Sequence, residues 1–230
     1  MEKEIATTSN GHEIRRPTEQ LDAEEYVGLL EKFGINGASP AERLEQLKSL
    51  SAERIAVLIS SINKGLQGSK DHLLRKDRAM KIGEQDTIAP EDRYDVFVAL
   101  IDDIKNTPDT INPERVADTL AMGIVLLHPF YDGNGRTARV VGLTFREGFD
   151  DPDSYAQDFE VVTEPRDLAR ARGGFLIYSY TPQFPDDFDR SDPTQVSHYL
   201  HDLITTEAEG AYIGPFGQAP LEMQPASLAA

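Results

Sequence analysis

The chain has 230 residues, 39% of them hydrophobic, enough for one sizeable core, and its lack of cysteine excludes disulfide frameworks and thiolate metal sites and suits a reducing compartment. A formal charge of −17 argues against broad electrostatic binding to nucleic acid or anionic lipid, so any phosphate must be held by a local arrangement of amides and cations. The longest apolar run, AMGIVLL, is far short of the ~20 residues of a membrane span. The opening MEKEIATTSNGHEIRRP has no apolar core for a signal peptide, so a soluble, cytoplasmic protein is expected, with secretion as an effector left open.

Residues 1–20 are polar and aperiodic and are expected to form a flexible tail. Residues 21–210 read as a single helical domain, and 211–230, rich in Gly, Pro and small residues, as a second tail. From Leu21 the pattern becomes helical: AEEYVGLLEKFG ends at a glycine stop. SPAERLEQLKSL carries Ser39 as N-cap, Pro40 at N1 and Glu42 at N3, a capping box. SAERIAVLISSINKG places Ile55, Leu58, Ile59 and Ile62 on one stripe. RAMKIGEQDTIAP then breaks the helical rhythm, with Met80 and Ile82 alternating with polar residues before a turn, and predicts a short β-hairpin over about 79–89.

Helical periodicity returns in EDRYDVFVALIDDIKN after Pro90. Asn112 and Pro113 cap and start PERVADTLAMGIVLLH, which is apolar nearly all round towards its end and therefore belongs in the core, with His128 at its finish. A further helix is predicted through GRTARVVGLTFREG, stopping near Gly148, followed by an acidic loop, a short helix around PRDLARARGG and the aromatic stretch FLIYSYTPQFP. Asp192 and Pro193 start the last helix, with Gly210 as its stop. The fold class expected is all-α with one short hairpin.

The chemistry concentrates in HPFYDGNGRTARVV, residues 128–141. Read as helix, loop, helix, DGNG precedes a helix N-terminus, where the first N–H groups lack partners and the macrodipole favours an anion. Gly133 and Gly135 flank Asn134 and allow a concave amide nest to approach a phosphate closely. Arg136 and Arg139, at i and i+3, emerge on one side of the first turn. Asp132 suits Mg²⁺, a hard cation that takes one or two carboxylates and completes its shell with water and phosphate oxygens. His128 is the group in this stretch that takes a proton near neutral pH. Base, metal ligand and anion cradle together point to phosphoryl or nucleotidyl transfer. Taken singly, the histidine would read as a helix cap and Asp-Gly-Asn-Gly as a turn; the paired arginines in an acidic chain tip the balance to an anion site. His12, His72, His198 and His201 read as surface or packing residues, because none has metal-ligand spacing with nearby acids on a shared face.

The stretch from His128 to Arg139 resembles, without a mismatch, the Fic family signature H-P-F-x-[D/E]-G-N-G-R-x-x-R, and a looser resemblance extends over about residues 70–210. The resemblance implies a mostly helical enzyme that moves AMP from ATP, with Mg²⁺, onto a hydroxyl side chain of a target protein. It implies His128 as the base, Asp132 as the Mg²⁺ ligand, Gly133, Asn134 and Gly135 as the phosphate nest, Arg136 and Arg139 on the β- and γ-phosphates, and Phe130 as an inward anchor. The hairpin, with Met80, Lys81 and Ile82, is similar in place to the family's flap, which aligns the target by strand pairing. Some Fic enzymes also carry an inhibitory helix, [S/T]-x-x-x-E-[G/N], whose glutamate pairs with the second arginine; Thr205 to Gly210 match it, with Glu209 as the brake. Tyr178 and Tyr180 are candidate self-modification sites. The rival readings are transfer of UMP or of phosphate, the latter opposed by the intact Gly-Asn-Gly, and a catalytically silent nucleotide-binding regulatory module, opposed by the intact histidine.

Overall fold

The computed structural model describes residues 6–7, 13–14, 21–67, 81–82, 85–145, 156, 159–160, 163 and 187–205. Within them the chain is all-α, with seven helices: α1 Ala23–Lys32, α2 Pro40–Lys48, α3 Ala52–Gln67, α4 Arg93–Lys105, α5 Pro113–Leu127, α6 Asn134–Leu143 and α7 Pro193–Thr205. Two antiparallel ladders, two residues a side, accompany them. β1 (Ala6–Thr7) pairs with β2 (Glu13–Ile14) in a segment where no element is expected from sequence. β3 (Lys81–Ile82) pairs with β4 (Gln85–Asp86), in register Lys81 to Asp86 and Ile82 to Gln85. Met80, the expected short helix at 165–174 and the aromatic stretch at 175–185 lie outside the described residues.

Local sequence explains where the helices begin and end. Ser39 and Glu42 form the expected reciprocal capping box on α2, and Asp22 with Glu25 makes a second one on α1. At the end of α1 the Gly34 N–H donates to the Glu31 carbonyl and the Ile35 N–H to the Leu30 carbonyl, a Schellman closure that needs Gly34 at φ +80°. Asn112 accepts from the Glu114 N–H at 2.9 Å and Pro113 fills N1 of α5.

Helix α5 is the axis of the core. From Val116 to Leu127 every residue except Val125 is buried, as its all-round apolar sequence requires. α6 runs against it, and α2, α4 and α7 also pack on it, while α3 packs on α6 and α1 on α3. Helix α6 ends at Leu143 with Thr144 as C-cap, earlier than the stop near Gly148 expected from sequence; Gly148 lies outside the described residues. The early end has a tertiary cause. Arg43 of α2, fully buried, donates from Nε to the Thr144 carbonyl at 2.6 Å and from Nη1 to the Gly37 carbonyl at 2.9 Å. Tyr26 of α1 meets the Thr144 hydroxyl at 2.5 Å and the Val140 carbonyl at 3.3 Å. These side chains satisfy the carbonyls and hydroxyl at the α6 terminus from neighbouring helices. No described helix is long and apolar enough to cross a membrane.

Candidate active site

The turn from α5 into α6 presents the motif. His128 closes α5 in the left-handed region, at φ 46° and ψ 54°, the single non-glycine residue with positive φ among the described residues. A β-carbon there is unfavourable, so strain is concentrated at the proposed base. Pro129 and Phe130 then turn inward, with Phe130 2% exposed in the core, while Tyr131 and Asp132 face solvent.

The loop is tied shut by Asn134. Its Oδ1 accepts from the Phe130 N–H at 2.9 Å and its Nδ2 donates to the Phe130 carbonyl at 2.8 Å, both within the buried part of the turn. The Asn134 side chain therefore shapes the nest from within, and what it offers a ligand is its backbone N–H at the start of α6. Gly133 is the N-cap, at φ +78°, and its carbonyl accepts the first helical bond, from Thr137 N at 2.8 Å. Gly135 is exposed, so the mouth of the nest opens to solvent. A β-carbon on Gly135 would stand 3.7 Å from Arg139 Nη1, which puts that buried guanidinium beside the glycine.

Arg136 points to the end of α3. Its Nη2 donates to Gln67 Oε1 at 2.9 Å and its Nη1 to the Leu66 carbonyl at 3.4 Å, at the negative end of the α3 dipole. Asp132 Oδ2 lies 3.8 Å away, an ion pair weakened by the 82% exposure of the carboxylate. The other oxygen of Asp132 accepts from the Gly133 N–H at 2.7 Å. Asp132 thus keeps one oxygen directed away from the loop backbone, as a cation shared with phosphate oxygens would need. No group of three or more His, Asp or Glu residues that could hold a metal occurs among the described residues, and a single carboxylate fits Mg²⁺ carried largely by a polyphosphate.

Two site residues escape the sequence reading, and both lie on α3. Asn63, buried, donates from Nδ2 to the Asp132 carbonyl and to Thr137 Oγ1, each at 3.0 Å, and so ties loop and helix together. Gln67, one turn further, holds Arg136. The signal for Asn63 was present: it continues the Ile55, Ile59 row of the apolar stripe with a polar side chain, and a polar group in a core stripe needs a partner.

Of the residues expected for the brake, Thr205 alone is described. Thr205 ends α7 in an exposed position, where its hydroxyl donates to the His201 carbonyl at 2.9 Å; Glu209 lies outside the described residues. His201 pairs with Asp103 of α4 at 3.0 Å, an inter-helix contact and no metal site. A cavity of about 460 Å³ lies beside the turn, lined by Ala56, Ile59, Phe97, Ile124, Leu127 and Pro129 among others, but by no residue from 130 to 139.

Neither the curated proteins nor the solved structures contain a match to the chain. A family model does match, described as the Fic/DOC family, over residues 44–145. Members of this family are in general enzymes that use a nucleotide and Mg²⁺ and transfer a nucleotidyl or phosphoryl group to proteins. The matched segment starts in α2 and ends just after α6, so it begins earlier and ends sooner than the resemblance read from sequence; α1 and α7 fall outside it. It contains the whole loop, with Asn63 and Gln67. Over residues 44–145 the chain carries a Fic/DOC family domain.

Proposed function

We propose that the chain is a protein adenylyltransferase, which transfers AMP from ATP to a Ser, Thr or Tyr hydroxyl of a target protein. The observation that carries the reading is the convergence, at one loop, of a strained histidine, an amide nest at a helix N-terminus and two arginines within the first two turns of that helix. In this reading His128 takes the proton of the target hydroxyl as its oxygen bonds to the α-phosphorus and the bond to the pyrophosphate oxygen breaks. The amides of Gly133 to Gly135 cradle phosphate, Arg136 and Arg139 neutralise the β- and γ-phosphates, and Asp132 holds the cation. Mg²⁺, when bound, neutralises charge on the leaving pyrophosphate.

The flap proposed to receive an extended target segment, through Met80, Lys81 and Ile82, is the segment of the short β3–β4 ladder; its antiparallel pairing supports the reading. The brake proposed is Glu209, reaching Arg139 from the segment that follows α7. In support, α7 is fastened to α5 by Arg115 Nε, which donates to the Leu203 carbonyl at 2.5 Å, so the segment leaves from a fixed point.

The test uses α-labelled ATP, Mg²⁺ and a cell lysate with wild type, Glu209→Gly, and Glu209→Gly with His128→Ala. Strong labelling of protein by Glu209→Gly alone supports transferase and brake together. Equal labelling by wild type and Glu209→Gly, with the His128 variant silent, keeps the enzyme and removes the brake. Label arriving only from γ-labelled ATP or from α-labelled UTP would replace AMP by phosphate or UMP. Nucleotide binding with no transfer from any donor would leave a regulatory module.

A further inference from the structure

We propose that Gln67, the last residue of α3, is a positioning residue that sets the Arg136 guanidinium for the polyphosphate of the nucleotide; the inference rests on the transferase reading above. Of the three polar contacts of Arg136, the bond to Gln67 Oε1 at 2.9 Å is the well-formed one. The Leu66 carbonyl is at 3.4 Å and the exposed Asp132 carboxylate at 3.8 Å, too long or too solvated to fix a side chain by themselves.

Among the described residues, the amide of Gln67 is oriented by Arg136 alone. Arginine only donates, so the amide must turn its oxygen to it, and the nitrogen then faces Gly133. That Nε2 is buried and has no hydrogen-bond partner among the described residues. A leucine or methionine would fill the same space without an unsatisfied donor, so packing alone does not explain a glutamine at this place. Gly133 completes the arrangement. A β-carbon at 133 would overlap the Gln67 amide nitrogen and stand 2.9 Å from Asn63 Nδ2, so the missing side chain of the N-cap glycine makes room for the group that holds the arginine.

The functional consequence is preorganisation. A free arginine samples many rotamers and loses that freedom on binding phosphate; one already held, with 22% of its side chain exposed, loses less. Gln67 thereby acts through Arg136, at the part of the ligand Arg136 reaches.

The experiment measures equilibrium binding of ATP and of AMP, each with Mg²⁺, by calorimetry on the full chain, for wild type, Gln67→Leu, Arg136→Ala and the double variant, together with the melting temperature of each. Gln67→Leu is expected to weaken ATP by about tenfold while AMP changes by less than about twofold. Its melting temperature is expected to stay at the wild-type value or rise, and the substitution should have no further effect in the Arg136→Ala background. An equal loss for ATP and AMP, or a loss for ATP that persists without Arg136, would make Gln67 a merely structural residue and overturn the proposal. Wild-type affinity for ATP in Gln67→Leu, with Arg136→Ala impaired, would overturn it while leaving the nucleotide site intact. Absence of ATP binding by the wild type would overturn both.

Discussion

Phe130 and Asn134 exchange two hydrogen bonds across the turn that joins α5 to α6, N–H to Oδ1 at 2.9 Å and Nδ2 to carbonyl at 2.8 Å. One side chain thereby satisfies both backbone groups of a buried phenylalanine, and the loop between them has its ends fixed before any ligand arrives. Phe130 locks the turn to the core, and Asn134 locks the nest to Phe130. The rigid elements below and the anion-facing amides above are joined at this pair.

Asn134→Ala is expected to leave the Phe130 N–H and carbonyl buried without partners, at a cost of about 1–3 kcal/mol for each orphaned group. The melting temperature should fall by about 4–24 °C, and nucleotide affinity should fall with it because the nest loses its shape. Asn134→Asp should be worse than its size suggests, since it sets a carboxylate oxygen against the Phe130 carbonyl. A thermal melt with and without ATP and Mg²⁺ checks both; a stable Asn134→Asp with unchanged affinity would contradict the role assigned to the clasp.

Gly133→Ala meets two separate penalties. The residue sits at φ +78°, where a β-carbon costs about 1–2 kcal/mol, and the new methyl would collide with the Gln67 amide. Gln67→Ala removes that collision and leaves the backbone strain and the 2.9 Å approach to Asn63 Nδ2. In a double-mutant cycle Gly133→Ala should therefore be less damaging in the Gln67→Ala background, with a coupling of about 1 kcal/mol or more, read from denaturant unfolding. Additive effects would show that the collision is relieved without energetic consequence.

Much of the frame around this site is legible in the sequence. The capping box of Ser39 and Glu42, the Asn112–Pro113 start of α5 and the finish of α5 at His128 are local signals, and local signals survive folding. Three features are not fully legible, two because their partners are distant in sequence and one because it depends on how a short turn closes on itself. The stop of α6 is fixed by Arg43 and Tyr26, roughly a hundred residues away and unrelated to any glycine. Asn63 stands out only as a polar residue in the α3 stripe and Gln67 as an ordinary helix residue, and the partners of both appear only when α3 is laid against α6. Asn134 reads as part of a glycine-bounded turn, and its use as an internal tie depends on the Phe130 backbone coming back to meet it.

Tyr26 gives the fold a dependence on alkaline pH. Burial is the dominant influence on its phenol and pushes its pKa well above the usual 10.0, against smaller opposing effects of the Thr144 hydrogen bond and of Arg43. The unfolded tyrosine ionises near pH 10 while the folded one stays protonated, so the stabilisation is fully present below about pH 10 and is lost as pH rises towards the folded value. Tyr199, pushed up to about 12 by burial, acts in the same direction. Tyr26→Phe is expected to lose about 1 kcal/mol at pH 7 with its hydrogen bonds to Thr144 and Val140. Its melting temperature should then decline less steeply than that of the wild type between pH 9 and 11. Parallel curves would mean that the Tyr26 phenol does not couple to folding.

The left-handed backbone of His128 separates stability from activity at one position. His128→Ala and His128→Gly both remove the imidazole, so both should abolish transfer of label from α-labelled ATP. They differ only in the β-carbon, which at φ 46° is unfavourable by about 1–2 kcal/mol. His128→Gly should therefore melt about 2–8 °C above His128→Ala, although glycine is the less stabilising residue at an ordinary helical position. Such a reversal, measured on two inactive variants, would show that the chain keeps a strained residue at the end of α5 for the sake of its side chain. If His128→Ala proved as stable as His128→Gly, the turn would relax without cost, and the histidine would have to be explained by its chemistry alone.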